Sequence, residues 1–478
     1  MERRFELRKE QLLSDCEVSA DAFAGIIERL KQFAEPFLMS LPSPESKTHG
    51  RTYVAGLLSD VARKNTESIA YRHDLDRQVL QRFIGYMDWD HKPLLDELTR
   101  QVAAEIGATD AVIVFDPSGF PKRGADSVGV QRQWCGRLGK TENCQVGIYM
   151  GYVTRREHAL VDMRLYFSKE WNADRKRRKK CGVPKEVRHQ TRHELALEML
   201  EERGARLPHA WIAGDDEMGR PAWFREKLNE IGERYLLAVP SNTTIRDLEE
   251  VVPPQTRTGP GRGECCGPRK APFRQMHAWC ATLPAGAWTR VVIRDADRGP
   301  IEVEAIARRV ESKIDRLVVG FEEMLFVMRQ RSEGGAWKYD YHLSNAAPGT
   351  SLAEFARVAN AEHRIEHCLQ RCKSEAGMAD YQTRSWLGWH HHQTLSLIAV
   401  WFLIQETRRG KKNHASTDGS SGPRSPGVNS APSKSVRQPR THCSRADQAP
   451  APQGAGALLP LQTTQTLAAL EGTKTGIS

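Results

Sequence analysis

Three acidic residues, Asp116, Asp215 and Glu366, have the type and setting to do chemistry together. Asp116 closes the apolar run Val112-Ile-Val-Phe115 and precedes Pro117, Ser118 and Gly119, so it reads as a carboxylate at the end of a buried strand, followed by a turn. Asp215 repeats the arrangement in Trp211-Ile-Ala-Gly-Asp215-Asp-Glu-Met-Gly219, where a strand ends in an acid and a helix follows. Asp216 and Glu217 are acidic as well. Helix capping and dipole complementation account for one or two of these three, so the residues alone leave the choice among them open. A lone aspartate before a turn is more often a cap than a ligand. Two acids at the ends of neighbouring strands differ, because burying like charges together is costly unless a cation compensates them.

Glu366 lies in His363-Arg-Ile-Glu-His-Cys-Leu-Gln-Arg-Cys-Lys373. At about 100° per residue, Lys373 returns to within roughly 20° of Glu366, whereas Glu375 falls on the opposite face. A carboxylate and a lysine two turns apart suit a cation ligand beside a phosphate contact, although either alone is commonly a solvated surface charge. Three separated carboxylates resemble the oxygen-rich surroundings that Mg²⁺ or Mn²⁺ prefers. Two such ions about 4 Å apart can activate an attacking hydroxyl and stabilise the leaving oxygen in phosphodiester chemistry.

The elements that must position these acids follow from hydrophobic spacing. From about Ala20 to Ile106 apolar residues recur at helical intervals, clearest over Ala22–Phe33, Tyr53–Arg63, Gln78–Tyr86 and Leu94–Ile106. Strand patterns then appear at Ala111–Phe115, Val146–Val153 and Ala159–Phe167. A helix over Thr191–Glu202, a strand at Ala210–Ala213, a helix after Gly219 and a strand at Tyr235–Val239 follow. This order predicts an α/β fold around a mixed sheet. Between Pro240 and His342, proline and glycine cluster around Pro253–Pro272, and short strands are expected at Trp288–Ile293, Ile301–Ala307 and Leu317–Gly320, as a β-rich insertion. Helical periodicity returns over Leu352–Lys373 and Gln393–Thr407. After Arg409 the chain turns to Ser, Pro, Gly, Ala and Gln, a composition that cannot offset its ordering entropy and predicts disorder. The expected division is a helical domain over 1–108, a catalytic domain over 109–408 interrupted at about 240–342, and a low-complexity tail over 409–478.

The 478 residues carry a formal net charge of +10, which leans toward a polyanionic partner. The charged Met1–Glu10 stretch shows no secretory signal, and the longest apolar run, Leu395–Ile404, is shorter than the roughly 20 residues of a membrane span. The ten cysteines contain no CxxC pair and read as reduced thiols of a cytoplasmic protein. The basic run Arg175–Lys180 suits phosphate neutralisation or a solvated loop. Trp279, Trp288 and Trp337 in the insertion are candidate base-stacking platforms, with core packing the commoner role. His390, His391 and His392 are consecutive, so on a helix they splay about 100° apart and make a poor single metal site.

Several longer motifs carry a resemblance. Asp116-Pro-Ser-Gly-Phe-Pro-Lys-Arg-Gly124, Gln133-Trp-Cys-Gly-Arg-Leu-Gly-Lys-Thr-Glu-Asn-Cys-Gln-Val-Gly147, Tyr341-His-Leu-Ser-Asn345 and Tyr381–Thr394 look like those of bacterial insertion-sequence transposases of the 701 type. The similarity spans roughly Leu41–Arg408. It implies an RNase H-like catalytic domain with a β-rich insertion, and Asp116, Asp215 and Glu366 as a DDE triad binding two Mg²⁺ or Mn²⁺ ions. Asp215 is favoured over Asp216 because the family places its acid four positions before the glycine, here Gly219. The wider group carries a Tyr-Arg-Glu-Lys signature, in which Glu366 and Lys373 match while Ala359 and Glu362 stand at the Tyr and Arg positions. Arg364 is then the candidate substitute for that arginine, with Lys122, Arg123 and Lys373 as further DNA contacts. The resemblance implies metal-dependent cleavage at the ends of an insertion sequence and strand transfer into target DNA. The partners would be duplex DNA carrying terminal inverted repeats, target DNA and further copies of the chain, in the bacterial nucleoid. A nuclease without strand transfer and a degenerate, binding-only copy are the alternatives.

Overall fold

The computed structural model describes residues 24–252, 270–294, 301–313, 319–332 and 334–417. Among the described residues five helices come first: α1 (Ile26–Leu38), α2 (Pro44–Leu57), α3 (Thr66–Arg72), α4 (Arg77–Gly85) and α5 (Lys92–Ile106). Ser43, Asn65 and Asp76 cap α2, α3 and α4 by accepting backbone N–H groups of the first turn. The helix expected over Tyr53–Arg63 runs earlier, because Ser43 and Pro44 set its start and Leu58 its end.

Four strands follow: β1 (Val112–Pro121), β2 (Gln131–Cys135), β3 (Lys140–Val153) and β4 (His158–Leu165). Then come α6 (Lys169–Ala173), α7 (Arg175–Lys180), α8 (Arg192–Arg203), β5 (Trp211–Gly214), α9 (Asp216–Gly219), α10 (Ala222–Glu230) and β6 (Tyr235–Ala238). The stretch expected to be β-rich forms β7 (Thr244–Asp247), β8 (Arg274–Gln275), α11 (Met276–Ala281), β9 (Thr289–Arg294), β10 (Ile301–Lys313), β11 (Val319–Arg331) and β12 (Trp337–Ser344). Two helices close the described chain, α12 (Leu352–Glu375) and α13 (Trp386–Thr417). The proline-rich 253–269 and most of the low-complexity tail lie outside the described residues. α13 nevertheless runs past the expected boundary at Arg409, since Lys411-Lys-Asn-His-Ala415 contains no helix breaker.

The strands form one mixed sheet. β4, β3 and β1 are antiparallel neighbours, β5 and β6 run parallel to β1, and β12, β11 and β10 extend the sheet beyond β6. The buried faces of the leading helices, the sheet around β1 and the inner side of α12 and α13 share one hydrophobic core. A smaller core under β7, β10–β12 and α11 includes Trp279, Trp288 and Tyr341. Among the described residues no helix is long and apolar enough to cross a membrane.

β1 corrects the expectation of a turn after Asp116. Pro117, Ser118 and Gly119 stay in the strand, opposite Ile148, Gly147 and Val146 of β3. Pairing with β5 stops at Phe115, so from Asp116 onward β1 is bonded on its β3 side while the β5 side is open. A strand with one free edge tolerates proline there.

Candidate active site

The register of two parallel strands brings the first two acids together. Phe115 of β1 pairs with Gly214 of β5, and these are the last paired residues of that ladder. Asp116 and Asp215 are the next residues of each strand, so both carboxylates emerge at the same open end. Asp215 also caps α9, its Oδ1 accepting from the Met218 N–H at 3.0 Å. Gly219 closes this short helix against β6, where a β-carbon would collide with the Ala238 carbonyl oxygen.

α12 supplies the other wall. It crosses β3 at Gly151, where any side chain would run into that of Ile365. This close approach turns Glu362, Glu366, Gln370 and Lys373, successive turns of one helical face, toward Asp116 and Asp215. The cavity between them has a volume of about 750 Å³ and is lined by five acids, Asp116, Asp215, Glu362, Glu366 and Asp380, and one lysine, Lys373. The Lys373 ammonium donates to the Ser118 hydroxyl at 2.7 Å and lies 5.1 Å above the Phe120 ring.

The electrostatics follow from that imbalance. Burial pushes the Asp116 carboxyl up to about 8, reinforced by Asp215 and Glu366 and opposed by Lys373. Burial likewise raises Asp215 to about 7, against the Met218 N–H, with Glu217 and Asp216 adding to the rise. Glu362 is pushed well above the usual carboxylate range by burial and then by Asp215 and Asp116. Buried carboxylates short of positive charge are what a bound cation would neutralise. The donors are all oxygen, which suits a hard divalent ion. Among the described residues no three metal-binding side chains converge on one point. Carboxylates in pairs still fit Mg²⁺, which keeps several waters and takes one or two carboxylates plus substrate phosphate.

The remaining sequence candidates are placed as follows. Asp216 is exposed and pairs with Arg220 at 3.4 Å, and Glu217 pairs with Arg192, so Asp215 is the acid of this trio that lines the cavity at the strand end. Glu366 lines the cavity from its rim, with a 62% exposed side chain and His363 3.9 Å away. Arg364 lies on the other side of α12, two residues and about 200° round from Glu366. Its guanidinium donates to the carbonyls of Thr154 and Arg155, so it does not meet the acids. Lys122 is folded inward, donating to the Tyr381 carbonyl at 2.9 Å over that residue's ring, and burial lowers it to about 7. Arg123 is exposed. Trp279 and Trp288 are buried, and Trp337 stacks under Arg329 and Arg331. His390, His391 and His392 are buried on separate partners, the Trp386 carbonyl, the Ile84 and Trp89 carbonyls, and the Tyr53 hydroxyl.

Glu362 is the site residue that sequence reasoning passed over. In the sequence it stands only as a misfit to the arginine position of a signature. Its spacing of four from Glu366 already placed both on one helical face.

A family model described as DDE superfamily endonuclease matches residues 36–300, more than half of the chain, a span that contains Asp116 and Asp215 and ends before Glu366. A probable transposase for insertion sequence element IS701 from Microchaete diplosiphon is 31% identical over 94 residues, 20% of this chain and 25% of that protein. The match thus spans about a quarter of that relative's length. Among solved structures, a piggyBac transposase synaptic complex with hairpin DNA aligns over 82% of this chain and 74% of its own, at 9% identity and a TM-score of 0.37.

Proposed function

The chain belongs to the DDE superfamily of endonucleases, and from that premise we propose that it is a DNA transposase acting through Asp116, Asp215 and Glu366. The observation that carries the reading is the pair of half-buried, register-matched carboxylates, Asp116 and Asp215, facing α12 across a cavity poor in positive charge. The succession β4–β3–β1–β5–β6, antiparallel on one side of β1 and parallel on the other, supports an RNase H-like core. In this reading the helices before Asp110 form a DNA-binding domain, and residues 240–342 an insertion.

Asp116 and Asp215 would hold divalent cations, with Glu366 completing the set from the rim and Glu362 behind it. When bound, two such ions supply activation of the attacking oxygen and charge stabilisation at the leaving oxygen. The protein's own residues set the geometry. Lys373, steadied by Ser118 and Phe120, places a positive charge beside the phosphate, and the walls of β1 and α12 fix where the backbone lies. Hydrolysis at an element end forms a bond from water oxygen to phosphorus and breaks the bond to the 3′ oxygen, which leaves with a proton as a 3′-hydroxyl. In strand transfer that hydroxyl attacks a target phosphodiester, so one P–O bond again replaces another and no external energy source is needed. Because two ends must be joined, the active species is an oligomer on DNA.

Replacing Asp116 by Asn tests the assignment. Binding to element ends should persist while cleavage falls below detection. Retained cleavage removes Asp116 from the machinery.

A further inference from the structure

The six-cation run Arg175–Lys180 folds as α7, and the fold divides its charges between two jobs. Arg177 and Arg178 point inward. Arg177 donates to the Ala125 and Val130 carbonyls and lies 3.8 Å over the Trp171 ring, while Arg178 donates to the Pro184 and Val187 carbonyls above Phe167. These two bolt the helix to the body. Arg175, Lys176, Lys179 and Lys180 occupy the opposite arc of about 140° and are exposed.

That outward array opposes helix stability. Like charges repel at these spacings, and Arg175 and Lys176 face the positive end of the helix dipole. Asp174 caps the helix, and Asp126 is shared by Lys180 at 2.7 Å and Arg384 at 3.6 Å. Arg175, Lys176 and Lys179 carry no ion pair among the described residues.

The chain links the patch to the acidic cavity. Ala379 and Asp380 line that cavity, and after the buried Tyr381 the residues Gln382–Ser385 line a second groove of about 510 Å³ together with Lys180 and Asp126. Backbone bonds from Val128 to Arg384 and from Trp386 to Cys181 stitch α7 to this segment. A cavity lined by five acids repels a polyanion, so attraction has to come from charges beside it.

We propose that the outer face of α7, with Arg384, is a contact surface for the phosphate backbone of duplex DNA running away from the acidic cavity. The inference rests on the transposase reading and adds to it the place where flanking duplex is held. It is tested with the full chain by titrating a mixed-sequence DNA duplex at several salt concentrations, for wild type and for Arg175→Ala/Lys176→Ala/Lys179→Ala. Three lost phosphate contacts should reduce the slope of log affinity against log salt by about 2–3. A charge-preserving variant, Arg175→Lys/Lys176→Arg/Lys179→Arg, should keep the wild-type slope. If wild type binds duplex and the alanine variant has the same slope, the α7 surface is overturned and the transposase reading stands. A charge-preserving variant that loses as much slope as the alanine variant also overturns it, because the effect is then structural. Wild type that binds no duplex overturns both.

Discussion

The ammonium of Lys373 reaches from α12 to the Ser118 hydroxyl of β1 over 2.7 Å, two residues beyond Asp116 on the same strand. One contact thus ties the helix that carries Glu362 and Glu366 to the strand that carries Asp116, and holds a positive charge at the edge of an acidic cavity. Lys373→Ala should lower the cleavage rate about 10²–10³-fold, the usual cost of losing one charge aimed at a developing negative charge. Ser118→Ala, which removes this one hydrogen bond and keeps the lysine, should cost less than about tenfold. Single-turnover rates at saturating Mg²⁺ measure both, and equal losses would contradict the division of roles.

Metal-free stability should depend on pH in a definite sense. The folded-state carboxyls of Asp116 and Asp215 sit near 8 and 7, above the unfolded values near 4, so the folded protein binds the extra protons. Their contribution is therefore fully present below about pH 4 and is lost as pH rises toward 8. Thermal melting in a chelator should show this as a falling contribution that Asp116→Asn removes, raising the metal-free melting temperature at pH 8. Mg²⁺ at a hundredfold excess over its Kd should stabilise wild type by about 2.7 kcal/mol and the variant far less. A variant with undiminished Mg²⁺ stabilisation would contradict the assignment.

The two glutamates of α12 should separate. Glu362 is held well above the usual carboxylate range by burial and by Asp215 and Asp116, so Glu362→Gln imitates the neutral form that burial favours and should retain cleavage within about tenfold. Glu366→Gln should lose cleavage by at least about 10³-fold. The reverse pattern in a cleavage assay would make Glu362 the third ligand.

Gly151 lets α12 seat on β3, and the obstruction is the Ile365 side chain. Gly151→Ala should destabilise the protein by about 1–3 kcal/mol, the usual cost of overpacking. Adding Ile365→Val should recover part of that loss, although Ile365→Val alone is destabilising. Denaturant melts of the four proteins measure the coupling, and simple additivity would show that the contact does not limit the approach.

Much of this site was legible in the sequence, for physical reasons that differ by residue. Asp116 stands out because it follows a short apolar run, which forces the chain to deliver a carboxylate at the end of a strand; the same reading narrows the second acid to Asp215–Glu217, and only the family resemblance singles out Asp215. Helical arithmetic placed Lys373 on the face of Glu366, and the family signature added its expected DNA contact. What could not be read was the register that sets Phe115 beside Gly214, since strand pairing is non-local. The extent of β1 was also hidden: Pro117 and Gly119 signal a turn locally, and only the open edge beyond β5 makes them acceptable in a strand. Arg364 is the expected substitute for the signature arginine, yet its rotation about α12 commits it to the β3–β4 connection. The helix α11 inside the β-rich stretch is six residues long, too short for periodicity to reveal.

The most direct measurement of the central claim is a cleavage and joining assay on DNA carrying the element's own ends, run with Mg²⁺ and with chelator. The account predicts that wild type releases 3′-hydroxyl ends and joins them to target DNA only with the divalent ion, and that Asp116→Asn and Asp215→Asn do neither while still binding the ends. Joining that survives chelation, or that persists in either variant, would contradict it.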